Sequence, residues 1–179
     1  MKPINDFENV KVSDEGAARP EAGGYVCVIT KAEDHPDREY LLVEFDIAEG
    51  EHAGYCSERA ARFGSWPALG KSYRSYKSSA AGMFKGFIQA VEGSPENKGF
   101  AWDWDEKKLA GKTFGAVLGE EEFLGQDGSV RTGLKLTACK TSDAIRAGDF
   151  RIPPVKKLKD SECPASGAFT DVTPDDIPF

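Results

Sequence analysis

One stretch of this chain, residues 78–91, sets its apolar side chains at helical spacing, through Met83, Phe84, Phe87, Ile88 and Val91. The other apolar runs are short and bounded by turn residues, which is the pattern of strands. Tyr25-Val26-Cys27-Val28-Ile29-Thr30 follows Gly23-Gly24 and is rich in β-branched and aromatic residues. The turn cluster Asp34-His35-Pro36-Asp37 separates it from a second run over residues 40–47, which predicts a β-hairpin. A third short strand is predicted near Gly54-Tyr55-Cys56. Residues 112–124 and 129–140 form two more, flanking the turn Gly125-Gln126-Asp127-Gly128. Ser78 or Ser79 caps the helix and Gly93 stops it. The predicted order, three strands, one short helix and two strands, is that of the OB-fold, a five-stranded Greek-key barrel. The fold class read from the sequence is therefore mainly β.

The ends of the chain read differently. Residues 1–20 are polar and irregular. Ile152-Pro153-Pro154 interrupts regular structure before the basic knot Lys156-Lys157-Leu158-Lys159. Residues 160–179 carry five acids, three prolines and no Lys or Arg. Such a segment has too little apolar surface to offset its ordering entropy, so it is expected to be a disordered tail. The predicted organisation is an irregular segment over 1–20, one domain over 21–159 and an acidic tail over 160–179. No apolar run is long enough to cross a bilayer, and the start lacks the basic and apolar regions of a signal peptide; the expectation is a cytoplasmic protein.

Net charge is -7 over 179 residues, which at first argues against a polyanionic partner. The distribution reverses that inference. With the tail set aside, 23 bases face 25 acids, and residues 54–87 hold six bases against the single acid Glu58. The same stretch contains Tyr55, Phe63, Trp66, Tyr73, Tyr76, Phe84 and Phe87. Cations that follow phosphates, interleaved with rings that stack on unpaired bases, are the equipment for binding single-stranded nucleic acid. Phe84 and Phe87 belong to the helical face and are assigned to the core. Arg59, Arg62, Lys71, Arg74 and Lys77 are predicted phosphate contacts, and Trp66, Tyr73 and Tyr76 predicted base platforms. A second basic segment, residues 140–159, either extends the phosphate track or pairs with the acidic tail. Trp102-Asp103-Trp104-Asp105 has two readings, a clamp on the core or a stacking platform beside carboxylates that repel phosphate.

Catalytic readings find little support. Gly70-Lys71-Ser72 resembles the end of a P-loop, but the required first glycine falls on Ser65. Asp103 and Asp105 beside Lys107 or Lys108 lack the third acid or histidine of a metal-dependent nuclease. Cys27, Cys56, Cys139 and Cys163 form no C-x-x-C pair, so reduced thiols and no metal site are expected. The protein is predicted to be a non-enzyme without cofactor.

The last five residues, Asp175-Asp176-Ile177-Pro178-Phe179, combine an acidic pair, two apolar side chains and a stiffening proline. Physically this is a docking peptide for a pocket with a basic rim. It resembles the tail tip of bacterial single-stranded DNA-binding proteins, and the resemblance is confined to those five residues. The body, through residues 24–29, 40–50 and Gly148-Asp149-Phe150, is similar to the divergent phage-encoded single-stranded DNA-binding proteins, also OB-folds. The resemblance implies a protein that coats single-stranded DNA during replication, recombination and repair, and that recruits partner proteins of those processes through residues 175–179. Two alternatives remain: a strand-annealing recombination protein, and an interaction module that mimics a host tail.

Overall fold

The computed structural model describes residues 19–158; the first 18 residues, Lys159, Cys163 and the tip Asp175–Phe179 lie outside the described residues. The architecture is mainly β: one five-stranded antiparallel sheet with three short helices. The strands are β1 (Gly23–His35), β2 (Tyr40–Ile47), β3 (Lys71–Ser75), β4 (Thr113–Leu124) and β5 (Val130–Lys140). The helices are α1 (Tyr55–Phe63), α2 (Ala81–Glu92) and α3 (Ser142–Arg146). Strand order across the sheet is β3-β2-β1-β4-β5.

β1 is the spine of this arrangement. Its second half pairs with β2, from Cys27 opposite Ile47 to His35 opposite Tyr40. Its first half pairs with β4, from Gly23 opposite Leu118 to Val28 opposite Thr113. The two pairings overlap at Cys27 and Val28; a bulge at Thr30 interrupts the β2 pairing just beyond, and the Thr30 hydroxyl donates to the Glu44 carbonyl at 3.1 Å. A second bulge leaves Thr137 of β5 unpaired, and its hydroxyl donates to the Val117 carbonyl at 2.8 Å. Each bulge bends and twists its strand locally, so the sheet curves. The sheet is not closed: β3 and β5 are both edges.

The alternation of β1, β2 and β4 turns Cys27, Ile29, Leu41, Val43, Phe45, Phe114, Ala116 and Leu118 into one core, which α2 completes with Phe84, Phe87, Ile88 and Val91. Phe114 meets both Phe45 and Phe87 edge-on, at 5.5 and 5.6 Å between centroids. On the opposite face Val26 and Val117 pack with Ile145 of α3 and with Phe150.

Two expectations are corrected. The segment proposed as a third strand, at Gly54-Tyr55-Cys56, opens helix α1, and the third strand is Lys71–Ser75. Among the described residues the α-helices number three, not one. α1 forms because the buried Asp46 carboxylate, 4% exposed, accepts from the backbone N–H groups of Cys56 at 2.8 Å and Ser57 at 2.9 Å. It satisfies the orphan donors of a helix whose own flanking residue, Gly54, supplies no side chain. The Ser78–Val91 helix is observed two to three residues later at its start, as Ala81–Glu92.

The connection from α2 to β4 is held by Asn97, which is 4% exposed. Its amide donates to the carbonyls of Val91 at 2.7 Å and Thr113 at 2.6 Å, and accepts from the Thr113 N–H at 3.0 Å. Replacing Asn97 with Ala strands buried backbone groups and is expected to cost about 2 kcal/mol, read as a shift in urea midpoint at unchanged slope.

Nearby, Arg146 of α3 clasps Glu49 at 2.5 Å and also binds Glu96, while the Ser142 hydroxyl donates to Glu96 at 2.5 Å. The hydrogen bond from Arg146 holds the Glu49 carboxyl below its ordinary range. At Glu96, partial burial acts upward but is outweighed by hydrogen bonds from Ser142 and Arg146, and the net shift is also downward. Carboxyls depressed in the folded state stabilise fully above their unfolded value, about 4.3, and lose that contribution as pH falls through the folded value. Urea midpoints measured from pH 6 to pH 3 are therefore expected to fall below about pH 4.5, and less steeply in Arg146→Gln.

Candidate nucleic-acid interface

Because β3 and β5 are unpaired edges of a curved sheet, a cleft of about 980 Å³ opens between them. β3 lines one side with Lys71 to Ser75, and β5 the other with Gly133 to Thr137. Five cations, Arg19, Arg59, Lys71, Arg74 and Lys135, reach the lining against one carboxylate, Glu121. Tyr73, Phe123, Tyr55 and Met83 add apolar and aromatic surface.

Alternation within β3 sorts its side chains. Ser72 is buried, whereas Tyr73 between Ser72 and Arg74 is 66% exposed. Tyr73 stands edge-on to Tyr40 at 5.5 Å, which braces one side of its ring and leaves the rest open. Lys71 pairs with Glu44 of the neighbouring strand at 3.6 Å. Arg59, on α1, lies over the Phe63 ring at 5.0 Å and the Tyr55 ring at 5.6 Å, and meets no carboxylate among the described residues. Glu121 is neutralised from two sides, by Lys135 at 2.8 Å and by Lys156 at 2.5 Å.

Arg74 bridges the two edges. Its guanidinium lies over the Phe87 ring at 5.3 Å and donates to the Cys139 thiol of β5 at 3.0 Å. Its Nε is enclosed and makes no hydrogen bond, and no carboxylate pairs with it among the described residues. A half-buried cation with a ring and a thiol for neighbours is poorly solvated and lacks a counter-ion, so an anion entering the cleft gains from it.

Not all the sequence-predicted residues converge here. Arg59, Lys71, Tyr73 and Arg74 share the cleft. Trp66 is half-buried and donates its indole N–H to the Gly70 carbonyl at 3.0 Å, over the turn that feeds β3; it is not part of the lining. Tyr76 packs against the core, edge-on to Phe84 at 6.0 Å, and donates to Asp34 at 2.9 Å. Arg62 lies over the Phe63 ring at 5.2 Å, and Arg62 and Lys77 are exposed but outside the lining. Sequence reasoning missed Arg19, Phe123 and Lys135, which come from distant segments. Only the knowledge that β5 faces β3 would have joined Lys135 to the patch.

The described thiols are not chemical candidates. Burial, and then the negative charge of Asp46, pushes the Cys56 thiol up to about 12. Burial raises Cys27 and Cys139 as well. Among the described residues no group of acids, histidines and cysteines could hold a metal ion, and no helix is long and apolar enough to cross a membrane.

Compared with known proteins, the chain matches no family model and no curated protein sequence.

The raised thiols have a direct chemical consequence. In a Cys163→Ser variant at pH 7.5, the three described cysteines are expected to resist iodoacetamide until urea unfolds the chain. Mass spectrometry of the alkylated protein reads the outcome.

Proposed function

We propose that the protein binds single-stranded DNA, without strong sequence preference, in the cleft between β3 and β5. The observation that carries this reading is Arg74, an uncompensated half-buried cation flanked by exposed Tyr73 and by the further cations Arg59, Lys71 and Lys135. Phosphates would follow the cations and unpaired bases would stack on Tyr73 and Phe123. The strand order β3-β2-β1-β4-β5, with a helix between the third and fourth strands, is compatible with an OB-type Greek-key barrel left open between β3 and β5. Binding is stoichiometric: the protein coats and protects strands, and no step of chemistry is assigned to it. The acidic tip Asp175–Phe179, outside the described residues, is proposed to recruit proteins of replication, recombination and repair, in a bacterial cell and in the service of phage DNA.

Fluorescence anisotropy of labelled oligo-dT tests this. Stacking on an exposed ring is worth about 1–3 kcal/mol per base, so Tyr73→Ala should weaken binding roughly 5- to 150-fold. Arg59→Gln should reduce the slope of log affinity against log salt by about 0.7, the value for one phosphate contact on a single strand. Absence of binding at micromolar protein in low salt, or a Tyr73→Ala variant that binds like the parent, would sink the proposal.

A further inference from the structure

A second, smaller cavity of about 230 Å³ shares Phe84 with the cleft as a lining residue. Its walls are the rings of Tyr76, Phe84, Trp102 and Trp104, and two acids, Asp34 and Glu106, stand at it. The three centroids of Phe84, Trp102 and Trp104 form a near-equilateral triangle, with separations of 6.2, 6.1 and 6.5 Å. A group held among them lies within about 6 Å of all three, the range over which a cation is attracted by a ring face. Trp104 and Phe84 are also almost parallel, at 11°.

Several features have no evident purpose in folding. Trp104 is 77% exposed, and its backbone occupies the left-handed region at φ 68°, where a bulky side chain is rare. Glu106 makes no hydrogen bond or ion pair among the described residues, and Asp34 meets only the Tyr76 hydroxyl. By contrast, the neighbouring acids Asp103 and Asp105 are both engaged by Lys108. Two uncompensated carboxylates beside four aromatic rings make a site for a positive charge, and they repel phosphate.

We infer that this cavity receives the guanidinium of an arginine from a basic segment of a partner protein. Arginine is favoured over lysine because its planar group stacks on ring faces while donating in-plane hydrogen bonds to carboxylates. The site goes beyond the strand-binding cleft: it carries the opposite charge and takes a protein rather than a nucleic acid.

The test uses the full chain in a Trp66→Phe background, so that the remaining indoles are those of residues 102 and 104. N-acetylarginine amide is titrated while the indole N–H resonances are followed by NMR, with the neutral isostere N-acetylcitrulline amide alongside. Saturable shifts of both indoles with the arginine probe are expected, and none with citrulline. Asp34→Asn with Glu106→Gln should weaken the arginine response at least fivefold, and Trp104→Ala should abolish it. Oligo-dT affinity should stay within twofold in Trp104→Ala. Equal shifts with citrulline, an unchanged response in the acid variants, or a tenfold loss of oligo-dT binding in Trp104→Ala would each overturn the inference, the last by making Trp104 a base platform.

Discussion

The central strand, β1, pairs with β4 over residues 23–28 and with β2 over residues 27–35, and the bulge at Thr30 bends it within the β2 pairing. Curvature introduced there, and again at Thr137, swings the outer strands round, so that β3 and β5 face one another without pairing. The core, the position of α2 and the cleft all follow from this geometry. Unpaired sheet edges are hazards that proteins ordinarily cover. Here the gap is spanned by Arg74 and backed by α2, whose Phe84 and Phe87 fill the space behind it.

The same geometry separates charge. The cleft gathers cations from β3, β5, α1 and the start of the described chain, while Asp34 and Glu106 line the smaller cavity. A net charge of -7 averages these surfaces with an acidic tail, and so conceals a face suited to phosphate. One aromatic residue, Phe84, lines both cavities.

Legibility followed apolar content. β1, β2, β4 and β5 carry short apolar runs bounded by turn residues and were readable within one or two residues over the segments predicted, although β1 runs on to His35. The helix was readable from Phe84, Phe87, Ile88 and Val91, which are all buried; Met83, on the same spacing, is exposed and turns toward the cleft. β3 was missed because Lys-Ser-Tyr-Arg-Ser carries no apolar alternation: it is an edge strand with Ser72 as its buried residue. α1 was missed because it buries Cys56 alone, and the carboxylate that anchors it comes from Asp46, ten residues earlier. Of the residues singled out by the basic–aromatic composition of 54–87, Arg59, Lys71, Tyr73 and Arg74 line the cleft. That composition could not distinguish Tyr73, open beside the cleft, from Tyr76, committed to Phe84 and Asp34, because aromatic identity does not reveal which face of a turn a ring takes.

The central claim is a location: a nucleic-acid strand lies between two unpaired sheet edges. Ultraviolet cross-linking of oligo-dT to the intact protein, followed by peptide mapping, tests it most directly. The account predicts cross-links at Tyr73 and Phe123, one on each side of the cleft. Cross-links confined to the segment from Trp102 to Glu106, or to Trp66 and Tyr76 with neither Tyr73 nor Phe123 labelled, would contradict it.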